Sequence, residues 1–143
     1  MVMRDIGPGC QGVDVALDKW LGALMNGQTE LLQNILADDF QLTCDPNIAG
    51  GRMNKAQFIE FDRHILECTV EVLSLTARRY NNTAVTQIFA RVDERFDEKP
   101  VGATPDELSR LLGGRILAYA SAWRPGENGE WRCFQHHLIG PVD

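Results

Sequence analysis

The sequence contains no apolar run approaching the ~20 residues that a bilayer-spanning helix needs, so no membrane span is expected. It is short of basic residues: 14 Lys and Arg stand against 20 Asp and Glu, giving a net charge of -6 and a pI near 5.0. No basic run or RNA-binding aromatic motif offsets that balance, which argues against nucleic acid and anionic membrane as partners. The four cysteines, Cys10, Cys44, Cys68 and Cys133, form no Cys-x-x-Cys pair. Met1 to Gly12 carries a Pro-Gly break and no apolar core, so no secretory signal is read there; reduced thiols and a cytoplasmic protein are expected. Histidine is scarce. His64 lacks a partner one helical turn away, and the adjacent His136 and His137 would point to opposite faces of a strand. With no His/Cys cluster at zinc spacing, no metal and no cofactor is expected. A Gly-x-Ser-x-Gly elbow and a phosphate-cradling loop are also missing, which removes the usual signals of nucleophilic hydrolysis and nucleotide binding.

What is present suits a soluble fold. Hydrophobic residues make up 44% and charged residues 24% of 143 positions, enough for one domain to bury roughly two-thirds of its unfolded surface. Residues 1–12 mix Gly, Pro and polar side chains without period and read as a flexible arm before a single domain over 13–143. Val13, Ala16, Leu17, Trp20, Leu21 and Leu24 recur at spacings of three and four, which predicts an amphipathic helix closed by Asn26-Gly27. A short second helix carries Leu31, Leu32, Ile35 and Leu36, is stopped by Ala37-Asp38-Asp39, and leads into a strand over Phe40 to Cys44. Asn54, with Gln57 three positions on, forms a capping box for a third helix presenting Phe58, Phe61 and Ile65.

Two β-rich segments, Thr69 to Tyr80 and Thr83 to Arg95, meet at Asn81-Asn82, a pair that tolerates hairpin geometry. An insertion over 96–114 contains Thr104-Pro105-Asp106-Glu107, a helix-start signal, followed by Leu108, Leu111 and Leu112 and ended by Gly113-Gly114. Two last strands, Arg115 to Arg124 and Trp131 to Ile139, flank a turn. Three helices followed by a meander of long strands predict an α+β fold, a strongly curved antiparallel sheet closing over the helices around a cavity.

That order, together with Ala23-Leu24-Met25-Asn26-Gly27, Leu36-Ala37-Asp38-Asp39-Phe40, and Trp123-Arg124 followed by Trp131-Arg132 and His136-His137, resembles the NTF2-like superfamily. Within it, the SnoaL-like and ketosteroid-isomerase-like domains are the nearest in pattern. The resemblance implies a conical pocket, a small hydrophobic ligand, and a homodimer packed through the sheet. It implies cofactor-free proton transfer of the isomerase, cyclase or dehydratase type, or alternatively a non-catalytic ligand-binding or dimerisation module whose cavity is filled by its own aromatics.

Leu42-Thr43-Cys44-Asp45-Pro46 looks like the segment that carries the general base of ketosteroid isomerases, which makes Asp45 the candidate base; an Asp-Pro turn is the other reading. The resemblance puts Trp20 where those enzymes hold a first-helix tyrosine, while its spacing with Leu17 and Leu24 is that of a core residue. It puts Ser121, or Ala120 with a one-residue slip, where they hold a protonated acid. Strict alternation sets Tyr119, Ser121 and Trp123 on one face of their strand. The family alignment sets Gln135 and His137 on the concave side, His137 assisting catalysis or being satisfied within the sheet. Phe58, Phe61 and Asp62 complete the expected pocket; Asp62 also reads as a solvated helix charge.

Overall fold

Val13, Leu17, Trp20 and Ala23 are all buried, and their spacing winds α1 (Val13–Met25) with one face against the sheet. The computed structural model describes residues 3–46, 48–97 and 105–143, with the backbone alone at 105. Gly27 takes the positive φ of 68° that ends α1, as Asn26-Gly27 predicts. The second helix is shorter than its apolar pattern suggests: a 3-10 turn over Thr29–Leu31 runs into α2 (Leu32–Ile35), and Leu36 is already extended. It opens β2 (Leu36–Thr43).

A short β3 (Arg52–Asn54) leads into α3 (Lys55–Asp62), and the predicted capping box is formed in full. Gln57 N donates to Asn54 Oδ1 and Asn54 N to Gln57 Oε1, each at 2.9 Å. Such a cap contributes about 1 kcal/mol. Then come β4 (Ile65–Tyr80), β5 (Thr83–Phe96), α4 (Pro105–Leu112), β6 (Gly113–Pro125) and β7 (Trp131–Pro141). Asn81 turns the β4–β5 hairpin at φ 55°. The expected cap at Thr104 lies outside the described residues.

Two differences from the sequence reading concern the sheet edges. Met3–Ile6, within the expected flexible arm, forms an edge strand β1 parallel to β4, with Met3 opposite Ser74 and Ile6 opposite Ala77. Its pairing is supplied by a distant strand, and four residues carry no readable period. The sheet is consequently mixed rather than wholly antiparallel, in the order β1-β4-β5-β6-β7-β2-β3, with β2 also parallel to β7. It is curved and open, with the helices on its inner side. Along β5 the alternation is clean: Ala84, Thr86, Ile88, Ala90, Val92, Glu94 and Phe96 are buried, while Gln87, Phe89, Arg91, Asp93 and Arg95 are exposed. Trp123, Phe40, Leu17, Leu36, Leu75 and Leu117 fill the interior. No helix among the described residues is long and apolar enough to cross a membrane.

Candidate functional site

Between α1, α3, α4 and the inner face of the sheet lies a cavity of about 90 Å³. Its walls are mostly apolar: Leu17, Leu21 and Leu24 from α1, Phe58 and Phe61 from α3, Val70 and Val72 from β4, Ile88 from β5, Leu112 from α4. Pockets for drug-sized ligands run to roughly 300–1,000 Å³, so this one admits a ligand on the scale of a single ring. One end is closed by aromatics. Trp20 meets Phe58, Trp123 and Phe40 edge-on at 5.9, 6.0 and 6.2 Å between ring centroids.

The polar groups on the lining are few and deeply buried. Asp62, the last residue of α3, is 4% exposed, and Glu94, on an inward position of β5, is 8% exposed. Burial pushes the Asp62 carboxyl well above the usual carboxylate range, and the nearby Glu94 pushes it further. Burial also raises Glu94, to about 7, against a smaller opposing effect from the Cys68 thiol, which donates to Glu94 Oε1 at 3.7 Å. Two carboxyls with no lysine or arginine among the described residues of the cavity wall cannot both ionise cheaply, so they titrate as a pair and hold at least one proton at neutral pH. The Tyr119 hydroxyl is raised well above its ordinary value, chiefly by burial and then by Glu94.

His136 is stacked on Tyr119 with centroids 5.1 Å apart and tilted against Trp20 at 4.8 Å. Burial, with a smaller effect from His137, lowers its imidazole to about 3. Its Nδ1 lies 2.6 Å from Ser121 Oγ. Among the described residues, two buried side-chain atoms have no hydrogen-bond partner, Trp20 Nε1 and Asp62 Oδ2. Both residues line this cavity.

The structure brings Trp20, Phe58, Phe61, Asp62 and Tyr119 together on the lining, with Ser121 and Trp123 buried just behind them. Trp123 Nε1 donates to Thr86 Oγ1 at 3.0 Å and belongs to the core. Asp62 is a buried cavity carboxyl and not a solvated helix charge. Three residues fall elsewhere. Asp45 is exposed in the turn after β2, where its carbonyl accepts from Ile48 N, and its neighbours Cys44 and Ile48 line the cavity in its stead. His137 and Gln135 are exposed on the outer face, His137 Nδ1 bonded to Thr43 Oγ1.

The cause is a register shift. Cys133 pairs with Trp123, whereas Gln135 pairs with Ala122, leaving Phe134 as an extra residue in β7. Such a bulge reverses the alternation beyond it, so Cys133, His136 and Leu138 face inward and His137 outward. Sequence reasoning missed Glu94 as well, although its place in the β5 alternation carried the signal.

No protein-family model matches the sequence, and no curated protein matches it. Its fold matches solved structures over nine-tenths or more of its length. An NTF2-like protein from Cytophaga hutchinsonii superposes with a TM-score of 0.70 at 17% identity, covering 90% of this chain and 94% of that one. A candidate ketosteroid isomerase from Shewanella frigidimarina gives 0.64 at 12% identity, covering 94% and 98%. A candidate calcium/calmodulin-dependent kinase II association domain from Exiguobacterium sibiricum gives 0.73 at 15% identity, covering 96% and 95%. At these identities the likeness shows the fold alone, an α+β cone like that of the NTF2-like structures it superposes on.

Proposed function

We propose that this NTF2-like fold binds a small hydrophobic molecule in its cavity and moves a proton on it without a cofactor, in the manner of an isomerase, dehydratase or cyclase. The observation that carries this reading is the pair of buried carboxyls, Asp62 and Glu94, sharing one mostly apolar cavity with no cationic side chain among the described residues of its wall. Their environments separate their roles. Glu94, titrating near 7, is half ionised at neutral pH and serves as the base. Asp62, held protonated, donates a hydrogen bond. Glu94 takes a proton from a carbon beside a ligand carbonyl, the C–H electron pair moves into the enolate, and the oxygen accepts from buried donors, Asp62 and Trp20 among them. The proton returns from Glu94 to the same carbon, or to the far carbon where the enolate is conjugated with a C=C bond. Base and donors each contribute factors of roughly 10² or more to such a step. The superposed candidate ketosteroid isomerase supports this reading at the level of the fold.

The test is exchange of ring-ketone α-protons for deuterium in D₂O, followed by NMR. The wild-type protein accelerates exchange, and Glu94→Gln loses about 100-fold or more of that acceleration. Equal rates with and without protein reject the proposal.

A second reading, a non-catalytic binding or association module, is favoured by the cavity's small volume and by the Trp20–Phe58–Trp123 cluster at its end. The superposed candidate association domain supports it in the same limited way.

A further inference from the structure

Three indole N–H groups are buried or half-buried in this protein, and two are spoken for. Trp123 donates to Thr86 Oγ1 at 3.0 Å and Trp131 to the Gln11 carbonyl at 2.8 Å. Among the described residues the third, Trp20 Nε1, meets no acceptor, and Trp20 is one of the residues lining the cavity. An indole nitrogen can only donate, so what is missing beside it is an acceptor. An ammonium ligand would leave it orphaned, at the cost of an unmade buried hydrogen bond.

His136 supplies a second donor beside it. Its Nδ1 is held at 2.6 Å by Ser121 Oγ, and Ser121 is 3% exposed. A serine hydroxyl always has a hydrogen to place. If Nδ1 carried the proton and donated to Oγ, the serine hydrogen would need another acceptor. If the serine donates to Nδ1, both groups are satisfied and the imidazole proton resides on Nε2. With Nδ1 taken by β6, the Nε2 edge is the part of the ring left for the cavity that His136 lines. The ring is clamped between Tyr119 and Trp20, which fixes its orientation. Its neutrality follows from the same burial.

We infer that Ser121 is a positioning residue locking His136 in its Nε2–H form, so that His136 and Trp20 together present two N–H donors to the oxygen of a compact, uncharged carbonyl compound. This rests on reading the cavity as a ligand site and adds the class of ligand. Anionic ligands find no lysine or arginine among the described residues of the wall and face Glu94. The volume restricts the ligand to about one ring.

The test uses the intact protein with ¹⁵N-labelled histidine and tryptophan and three probes of one ring size: cyclohexanone, cyclohexylammonium and cyclohexanecarboxylate. In the free protein His136 Nδ1 reads as a bare acceptor and Nε2 as N–H, unchanged down to about pH 5. Cyclohexanone shifts the Trp20 and His136 N–H signals saturably, and the two charged probes bind at least tenfold more weakly. Ser121→Ala mixes the tautomers and weakens cyclohexanone roughly three- to tenfold, the worth of one neutral hydrogen bond, while Ser121→Thr restores both. The Trp123 indole signal, tied to Thr86, reports that each variant is folded. A proton on Nδ1, an imidazolium at neutral pH, an unchanged tautomer in Ser121→Ala, tighter binding of a charged probe, or no response to cyclohexanone would each overturn the inference. Binding of cyclohexanone without deuterium exchange would leave it standing and reject the proton-transfer reading.

Discussion

Ser121 on β6 stands opposite His136 on β7, because the register slips by one residue between the Trp123–Cys133 and Ala122–Gln135 pairs. That slip puts a neutral imidazole inside the molecule and its neighbour His137 outside. Replacing the two histidines separates their roles. His136→Leu strands the buried Ser121 hydroxyl and costs about 1–3 kcal/mol, whereas His137→Ala, on the exposed face, stays within about 0.5 kcal/mol. Urea unfolding of both variants checks the difference.

Glu94 makes stability depend on pH with a definite sign. Its folded value of about 7 lies above the ordinary 4.5, so below 4.5 it is protonated in both states and its burial is tolerated. Between about 4.5 and 7 the unfolded chain releases the proton that the folded protein retains, and stability falls as pH rises. Glu94→Gln removes that loss, and the variant gains on the wild type by a few kcal/mol between pH 4.5 and 7. His136, lowered to about 3 from 6.5, works the other way, its contribution growing as pH rises between those values and levelling off above them, and it is common to both proteins. Thermal unfolding across the range reads the difference directly.

The cavity's size sets a further expectation. Ile88 is 5% exposed and lines the cavity; Ile88→Ala costs about 2–5 kcal/mol and enlarges the pocket. The variant binds a two-ring ketone that the wild type excludes, as measured by ligand-induced rises in melting temperature.

The outer sheet face suits the homodimer that the family resemblance implies. Phe89 is 43% and Ile139 58% exposed there, beside the small side chains of Ala118, Ala120 and Ala122. Phe89→Glu combined with Ile139→Glu is expected to yield a monomer in sedimentation equilibrium where the wild type is a dimer. A wild type that sediments as a monomer rejects the interface.

How far the sequence was legible follows from where its signals were local. The Asn54 capping box, the Asn81 turn and the α1 stripe depend on residues within a few positions of one another, and each formed as read. The β1 strand depends on β4, some seventy residues on, and no local pattern announces it. Asp45 resembled a catalytic segment, but Asp-Pro serves equally well to turn the chain, and the structure turns there with Asp45 exposed. The site was half legible. Alternation along β5 points to Glu94, an acid among Ile88, Ala90 and Val92, whereas the β7 bulge that selects His136 over His137 comes from pairing with β6 and leaves no mark in the run Trp131 to Ile139.

Two carboxyls that share one mostly apolar cavity and hold on to a proton are the centre of the proposed chemistry. A ¹³C NMR titration of the side-chain carboxyls in selectively labelled protein reads this without any ligand. It is expected to show Glu94 titrating near 7 and Asp62 well above the ordinary carboxylate range, with Asp62 shifting downward in Glu94→Gln. Both carboxyls fully ionised at pH 5 would contradict the account.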